Sequence, residues 1–187
     1  MSWLGSLLGG RKRKRAGEIA SALDVPTDGF NDHEKEIVAK VRKHGWFCTS
    51  VFAEEGSLGF SYSTGFWVNL GRPELLIFSV PPEMAHAVLW AFYRAPVEGT
   101  WPIGEPLSGF VENLPVMLMP VAKAHYATYP LSSRWFYGGE EFPALQVVWP
   151  DTEGRFPWEE GADPRFGDSQ PDLSDAGWRA LAGPGRA

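Results

Sequence analysis

The chain has 187 residues, 44% apolar and 21% charged, with 12 Phe, 9 Trp and 5 Tyr. That is enough to bury a core in one domain, and it excludes a chain too polar to offset the entropy of ordering. No apolar run reaches the roughly 20 residues of a membrane-spanning helix, and a lone Cys48 excludes an internal disulfide and any CxxC zinc site.

The net charge of −6 is unevenly spread. Arg11 to Arg15 are all basic and residues 1–15 contain no acid, which leaves 12 basic against 23 acidic residues, a net −11, for the rest. Such a body repels a phosphate backbone, so nucleic-acid binding by the folded part is not expected. The single cysteine points to a reducing, cytoplasmic setting. In residues 1–15 the charges follow the apolar part, the reverse of a secretory signal. Trp3, Leu4, Leu7 and Leu8 would share one face of a helix ahead of the basic run, a pattern that suits weak contact with an anionic membrane surface. The competing reading is a disordered, solvated tail.

The first helix is expected over 32–44. Asn31 or Asp32 caps it, acids lie in its first turns, and Lys40, Arg42 and Lys43 lie near its end, as the helix dipole favours. Ile37, Val38 and Val41 form its apolar stripe, and Gly45 terminates it. Strands follow at 46–52 and 60–67, rich in aromatic and β-branched residues and joined by a hairpin loop at 54–59. In the second run Phe60, Tyr62 and Thr64 share one face, and Ser61, Ser63 and Gly65 the other. Residues 75–80 read as a nearly continuous apolar, central strand. Pro81-Pro82-Glu83 opens a helix to about Ala95, with Met84, Ala85, Val88, Leu89 and Phe92 on its core face.

Residues 96–110 read as a Pro/Gly-rich connection. The proline-bounded strand 114–120 is expected to be short or near an edge. Ala122 to Tyr129 is expected to form a short helix and 134–137 a turn, and Ala144 to Trp149 is the last strand. Residues 1–15 and 162–187 are expected to be loosely ordered and dispensable for folding, flanking one domain at 16–161. Asp175 to Leu181 is the one helical stretch expected beyond it. Leu76, Phe78, Val88, Leu89, Val147 and Trp149 are expected in one core.

No GxGxxG, Walker loop or HExxH is present, and Gly59-Phe60-Ser61-Tyr62-Ser63 has serine where the second glycine of a nucleophile elbow belongs. A resemblance is carried instead by short motifs in order. They are His44-Gly45-Trp46, Phe60-Ser61-Tyr62-Ser63-Thr64-Gly65, Arg72-Pro73-Glu74-Leu75 with Phe78, His125-Tyr126, Trp135-Phe136-Tyr137, Phe142 to Asp151, and Gly154 to Trp158. Over about residues 33–160 this pattern resembles a bacterial family called domain of unknown function 4262. The resemblance implies a single soluble bacterial domain and brings no activity with it.

Three histidines lie in that region. His44 ends a helix, where a cation is favoured, and His86 lies on a helix side. His125, beside Tyr126 in a loop-rich aromatic stretch, is the best candidate for base or ligand chemistry. Their separations of 42 and 39 residues carry no metal-ligand spacing, and neither a metal site nor a cofactor is expected. Arg134 could bind an anion or stack on a ring. The Ser61, Ser63, Thr64 and Gly65 stretch reads either as the floor of a ligand site, with Gly65 admitting a ligand to the backbone, or as a surface for a packed helix. If a cleft exists, His125, Tyr126 and Arg134 are expected to line it with Ser61 and Ser63, and His44 is a further ligand-binding candidate.

The expected fold is α+β, a largely antiparallel sheet of about five strands covered by two main helices. The leading function is a non-enzymatic module that binds an unknown protein or a small anionic ligand. The alternatives are a hydrolase- or transferase-type enzyme using His125, Tyr126 and Arg134, and a membrane-peripheral accessory protein recruited by residues 1–15.

Overall fold

The computed structural model describes residues 19–96 and 100–182, so the expectations for residues 1–15 lie outside the described residues. Six strands form one sheet: β1 (Phe47–Val51), β2 (Phe60–Thr64), β3 (Glu74–Phe78), β4 (Pro106–Val111), β5 (Leu114–Pro120) and β6 (Ala144–Val148). Their spatial order is β1-β2-β3-β6-β5-β4, antiparallel at every pairing except β3 with β6. The α+β class and the mainly antiparallel sheet agree with the sequence reading, with one strand more than expected. The extra strand, β4, lies in the stretch read as a connection. Pro106, Gly109 and a register shift between Leu107 and Val111 disguise it.

Strand β5 is internal, one place in from the edge. Its prolines are tolerated because Pro115 stands outside the paired register and Pro120 at the strand's last position.

Helix α1 (Asp32–His44) begins at a capping box. Asn31 Oδ1 accepts the Glu34 amide at 2.9 Å, and Glu34 Oε2 accepts the Asn31 amide at 2.8 Å. It ends at Gly45, which holds the left-handed φ of 85° that a C-terminal cap requires. Helix α2 (Phe66–Leu70) replaces the end of the expected 60–67 strand, because Gly65 turns the chain at φ 117°. Helix α3 (Pro82–Arg94) runs as expected, and the turn expected at 134–137 is the last part of a helix, α4 (Leu131–Phe136), with Tyr137 as its C-cap. The expected helix at 122–129 shortens to one 3-10 turn, Lys123–His125. Short helices α5 (Pro164–Asp168) and α6 (Trp178–Leu181) close the described chain.

Alternation along the strands sends Leu75, Ile77, Leu145 and Val147 to one face, where α3 packs Val88, Leu89 and Phe92 on them. Leu76, Phe78, Tyr62 and Ala144 point to the other face, against Tyr126, Phe142 and Leu173. The expected single core is therefore two cores with the sheet between them. Residues of adjacent number in a doubly covered strand cannot share one side.

The C-terminal stretch is a second departure. Gln170, Leu173 and Trp178 are buried, and Trp178 joins Met117, Met119, Val148 and Phe156 in a cluster of its own. Three apolar side chains of the sheet would otherwise face water, which is why so polar a stretch packs down here.

Candidate functional site

The candidate residues separate across the sheet. Ser61 pairs with Ile77 and Ser63 with Cys48, so both belong to the α3 face. Tyr126 lies on the opposite face and is 1% exposed, its hydroxyl donating to the Phe142 carbonyl at 3.1 Å. Burial pushes that hydroxyl's pKa above its ordinary value. Half-buried His125 has its ring 6.1 Å from Tyr129, and exposed Arg134 pairs through Nε with Glu140 at 3.0 Å. His44 is exposed at the end of α1, while His86 stacks on Trp46 at 5.1 Å. The structure does not bring His125, Tyr126 and Arg134 together with Ser61 and Ser63.

The small residues of β2 have found partners inside the fold. Thr64 Oγ1 lies 2.7 Å from Ser133 Oγ, which itself donates to the Ser63 carbonyl at 2.9 Å. Tyr62 Oη donates to Ser132 Oγ at 3.0 Å, so two hydroxyls of α4 fix this helix to the strand. A Cβ on Gly65 would stand 2.7 Å from the Gly45 carbonyl and 2.9 Å from Trp46 Cα. The close approach at Gly65 is thus made by the chain's own backbone.

Sequence reasoning missed Glu74, the buried polar centre at the start of β3. Its Oε2 accepts from Ser63 Oγ at 2.5 Å. Its Oε1 accepts from Tyr137 Oη at 2.5 Å, from the Gly65 amide at 2.9 Å and from the Trp67 amide at 3.0 Å. Burial raises the carboxyl's pKa, and these four donors oppose the rise. Ser63 also accepts the Leu75 amide at 2.9 Å, so its hydroxyl is fully employed. This centre ties β2, α2, β3 and the end of α4 together. The Arg72-Pro73-Glu74-Leu75 motif holds the residue, although an acid opening an apolar strand does not announce its partners.

Of the serine candidates, Ser61 lines a depression. The groove, of about 280 Å³, lies at the end of β1 between Val51, Phe52, Leu58, Ser79, Val80 and Pro82. Ser61 Oγ lies 2.8 Å from Ser50 Oγ at its floor. Ser79 closes one side in the left-handed conformation, φ 52°, with its amide on the Gly59 carbonyl. Phe52 is 73% exposed, and Val51 and Leu58 are exposed beside it. The groove thus adjoins the last residue of β1, a strand that pairs with β2 and with no other strand among the described residues. What this arrangement offers chemically is apolar contact beside an edge whose backbone donors and acceptors meet no strand among the described residues.

A second depression, of about 310 Å³, lies by Trp149, Thr152, Arg165, Phe166 and Ser169. Its surroundings are built for folding. Gln170 bonds both the amide and the carbonyl of Trp149, and Asp151 gathers the amides of Glu153, Arg155 and Asp163. Those amides, Arg155's first, hold the Asp151 carboxyl below its usual range. Among the described residues no group of three or more His, Cys, Asp or Glu could hold a metal ion, and no helix is long and apolar enough to cross a membrane.

Neither the curated proteins nor the solved structures compared with the chain include a match. A family model does match, over residues 40–163, and this span takes in Trp46, β1 to β6, the Glu74 centre and the Asp151 loop. The chain therefore belongs to the family described as Domain of unknown function (DUF4262).

Proposed function

We propose that the domain is a non-enzymatic protein-interaction module that receives an extended segment of a partner along β1. The carrying observation is the contrast between the two edges of the sheet. Natural sheets blunt their edges with proline, charge or a bulge, because bare edges recruit strands. Edge strand β4 has Pro106 and a register shift. Edge strand β1 reads Phe-Cys-Thr-Ser-Val and continues into Phe52 and Ala53, with no charge, proline or shift. An added strand would gain main-chain hydrogen bonds from this edge, and its alternate side chains would meet Phe52, Leu58 and the groove. Lysine at 52 would be the expected residue if the edge were meant to stay open.

Panning the full chain against a displayed library of random peptides tests this reading. Selected peptides are expected to alternate apolar and polar residues and to slow hydrogen exchange at β1 amides. Their affinity is expected to fall at least about tenfold in the F52K/L58K variant, as for a central apolar anchor. Peptides that bind this variant as well as the parent, or a library that yields none, overturn the reading.

A further inference from the structure

We infer that the segment received along β1 is β1 of a second copy of this chain, running antiparallel about Thr49. The inference rests on the interaction-module reading. It starts from the charges at the two ends of the strand. Exposed Lys43 and His44 stand just before β1, and exposed Glu54 and Glu55 just after it. The strand between them is uncharged. A parallel neighbour would set acid beside acid and base beside base. A two-fold antiparallel neighbour centred on Thr49 instead brings the last turn of α1, with Lys43, towards the mate's turn at Glu54 and Glu55. The charge pattern thus selects the direction.

The side chains of the strand select the register centred on Thr49. Val51 faces the mate's Phe47, and Phe52 faces its Trp46. Directly opposed residues of an antiparallel pair share a face. Phe52 and Trp46 both stand on the α3 side, where Trp46 packs with Phe66 and the α3 aromatics and Trp90 remains 38% exposed. Phe52 of one copy, 73% exposed, would therefore come to rest against the aromatic ledge of the other, twice over by symmetry. The product is one continuous sheet through two molecules, with both β1 edges removed from water. The acidic bodies repel at long range, and the approach of each copy's Lys43 to the mate's Glu54 and Glu55 works against that repulsion where it is closest.

Sedimentation equilibrium of the full chain, with hydrogen exchange at β1, tests the proposal. At about 100 μM, well above a micromolar Kd, the chain is expected to be a dimer whose β1 amides lose protection on dilution. The E54K/E55K variant and the K43E/H44E variant are each expected to weaken the dimer at least about tenfold, since like charges then meet at both seams. An equimolar mixture of the two variants is expected to restore it. That rescue also shows that neither variant is merely misfolded.

A monomer at that concentration overturns the proposal, whether its β1 amides exchange freely or are covered by the chain's own residues 1–18. A dimer indifferent to both charge sets overturns it too. If the dimer fails while library peptides still bind through Phe52 and Leu58, the interaction reading stands and only the second copy is excluded.

Discussion

Glu74 is where the chain concentrates its buried polar chemistry, and its behaviour with pH follows from the direction of its shift. Burial raises the carboxyl's pKa above the ordinary 4.5, so the folded state holds this proton more tightly than the unfolded one. The resulting stabilisation is complete below about pH 4.5 and is lost as pH rises through the raised folded value. Glu74→Gln removes the titration but turns an amide NH₂ toward the Ser63, Tyr137 and backbone donors, at a cost of about 1–3 kcal/mol. The melting-temperature advantage of the parent over E74Q is therefore expected to shrink from pH 4 to pH 8. An advantage that grows with pH contradicts the sign.

Two neighbours of that centre invite equally direct tests. Gly65→Ala adds a Cβ against backbone at a φ that L-residues rarely adopt, and is expected to cost about 2–5 kcal/mol in a denaturant melt. Cys48 has its thiol pushed up to about 11 from 9.0 by burial. Its alkylation at pH 8 is expected to be about 100-fold slower in the native protein than in the unfolded chain, in proportion to the thiolate lost.

At the scale of elements, the helix α3 was readable because its stripe is regular. Ala85, Val88, Leu89 and Phe92 recur at helical spacing and are all buried. Leu89→Ala is expected to cost about 2–5 kcal/mol, since the side chain is wholly enclosed between the helix and the sheet. A loss under about 1 kcal/mol would mean that the site relaxes around the cavity. Strand β4 was unreadable for the opposite reason. Its proline, glycine and register shift are what a protected edge requires, and the same residues signal a loop in a linear reading. The 122–129 stretch likewise has helical composition, but Ala122 gives its amide to the Leu173 carbonyl and the chain turns away after His125.

Across the whole molecule, the sheet divides the apolar residues into two principal cores, and the C-terminal stretch completes the second side. Trp178 stands edge-on to Trp158 at 5.5 Å, and Gln170 brackets Trp149. Ending the chain at residue 161 is expected to uncover Met117, Met119 and Val148. A lower melting temperature and a broader transition than the full chain's are then expected by calorimetry. A shortened chain that melts as the full chain does would mean that this layer adds nothing to the fold.

The sequence by itself determined the α+β class, the family, the two long helices, the first of them with its caps, and the five strands whose residues alternate or run apolar. The helices and strands depend on neighbours within a dozen positions, through periodicity, capping and turn chemistry, and the family on short motifs in order along the chain. It also singled out Ser61, Ser63, Thr64 and Gly65 as unusual for a strand. What it could not supply was their use. Ser63 answers to Glu74, Thr64 to Ser133, and Gly65 to the Gly45 carbonyl, partners fixed by the order of strands rather than by spacing. The separation of His125, Tyr126 and Arg134 from Ser61 and Ser63 is of the same kind. Which face a residue takes is set by alternation along its own strand, but which helix covers that face is decided only when the sheet assembles. The bareness of β1 was likewise written in its residues, yet only the tertiary structure made it an edge, because nothing in a linear chain says which strand will be left without a neighbour.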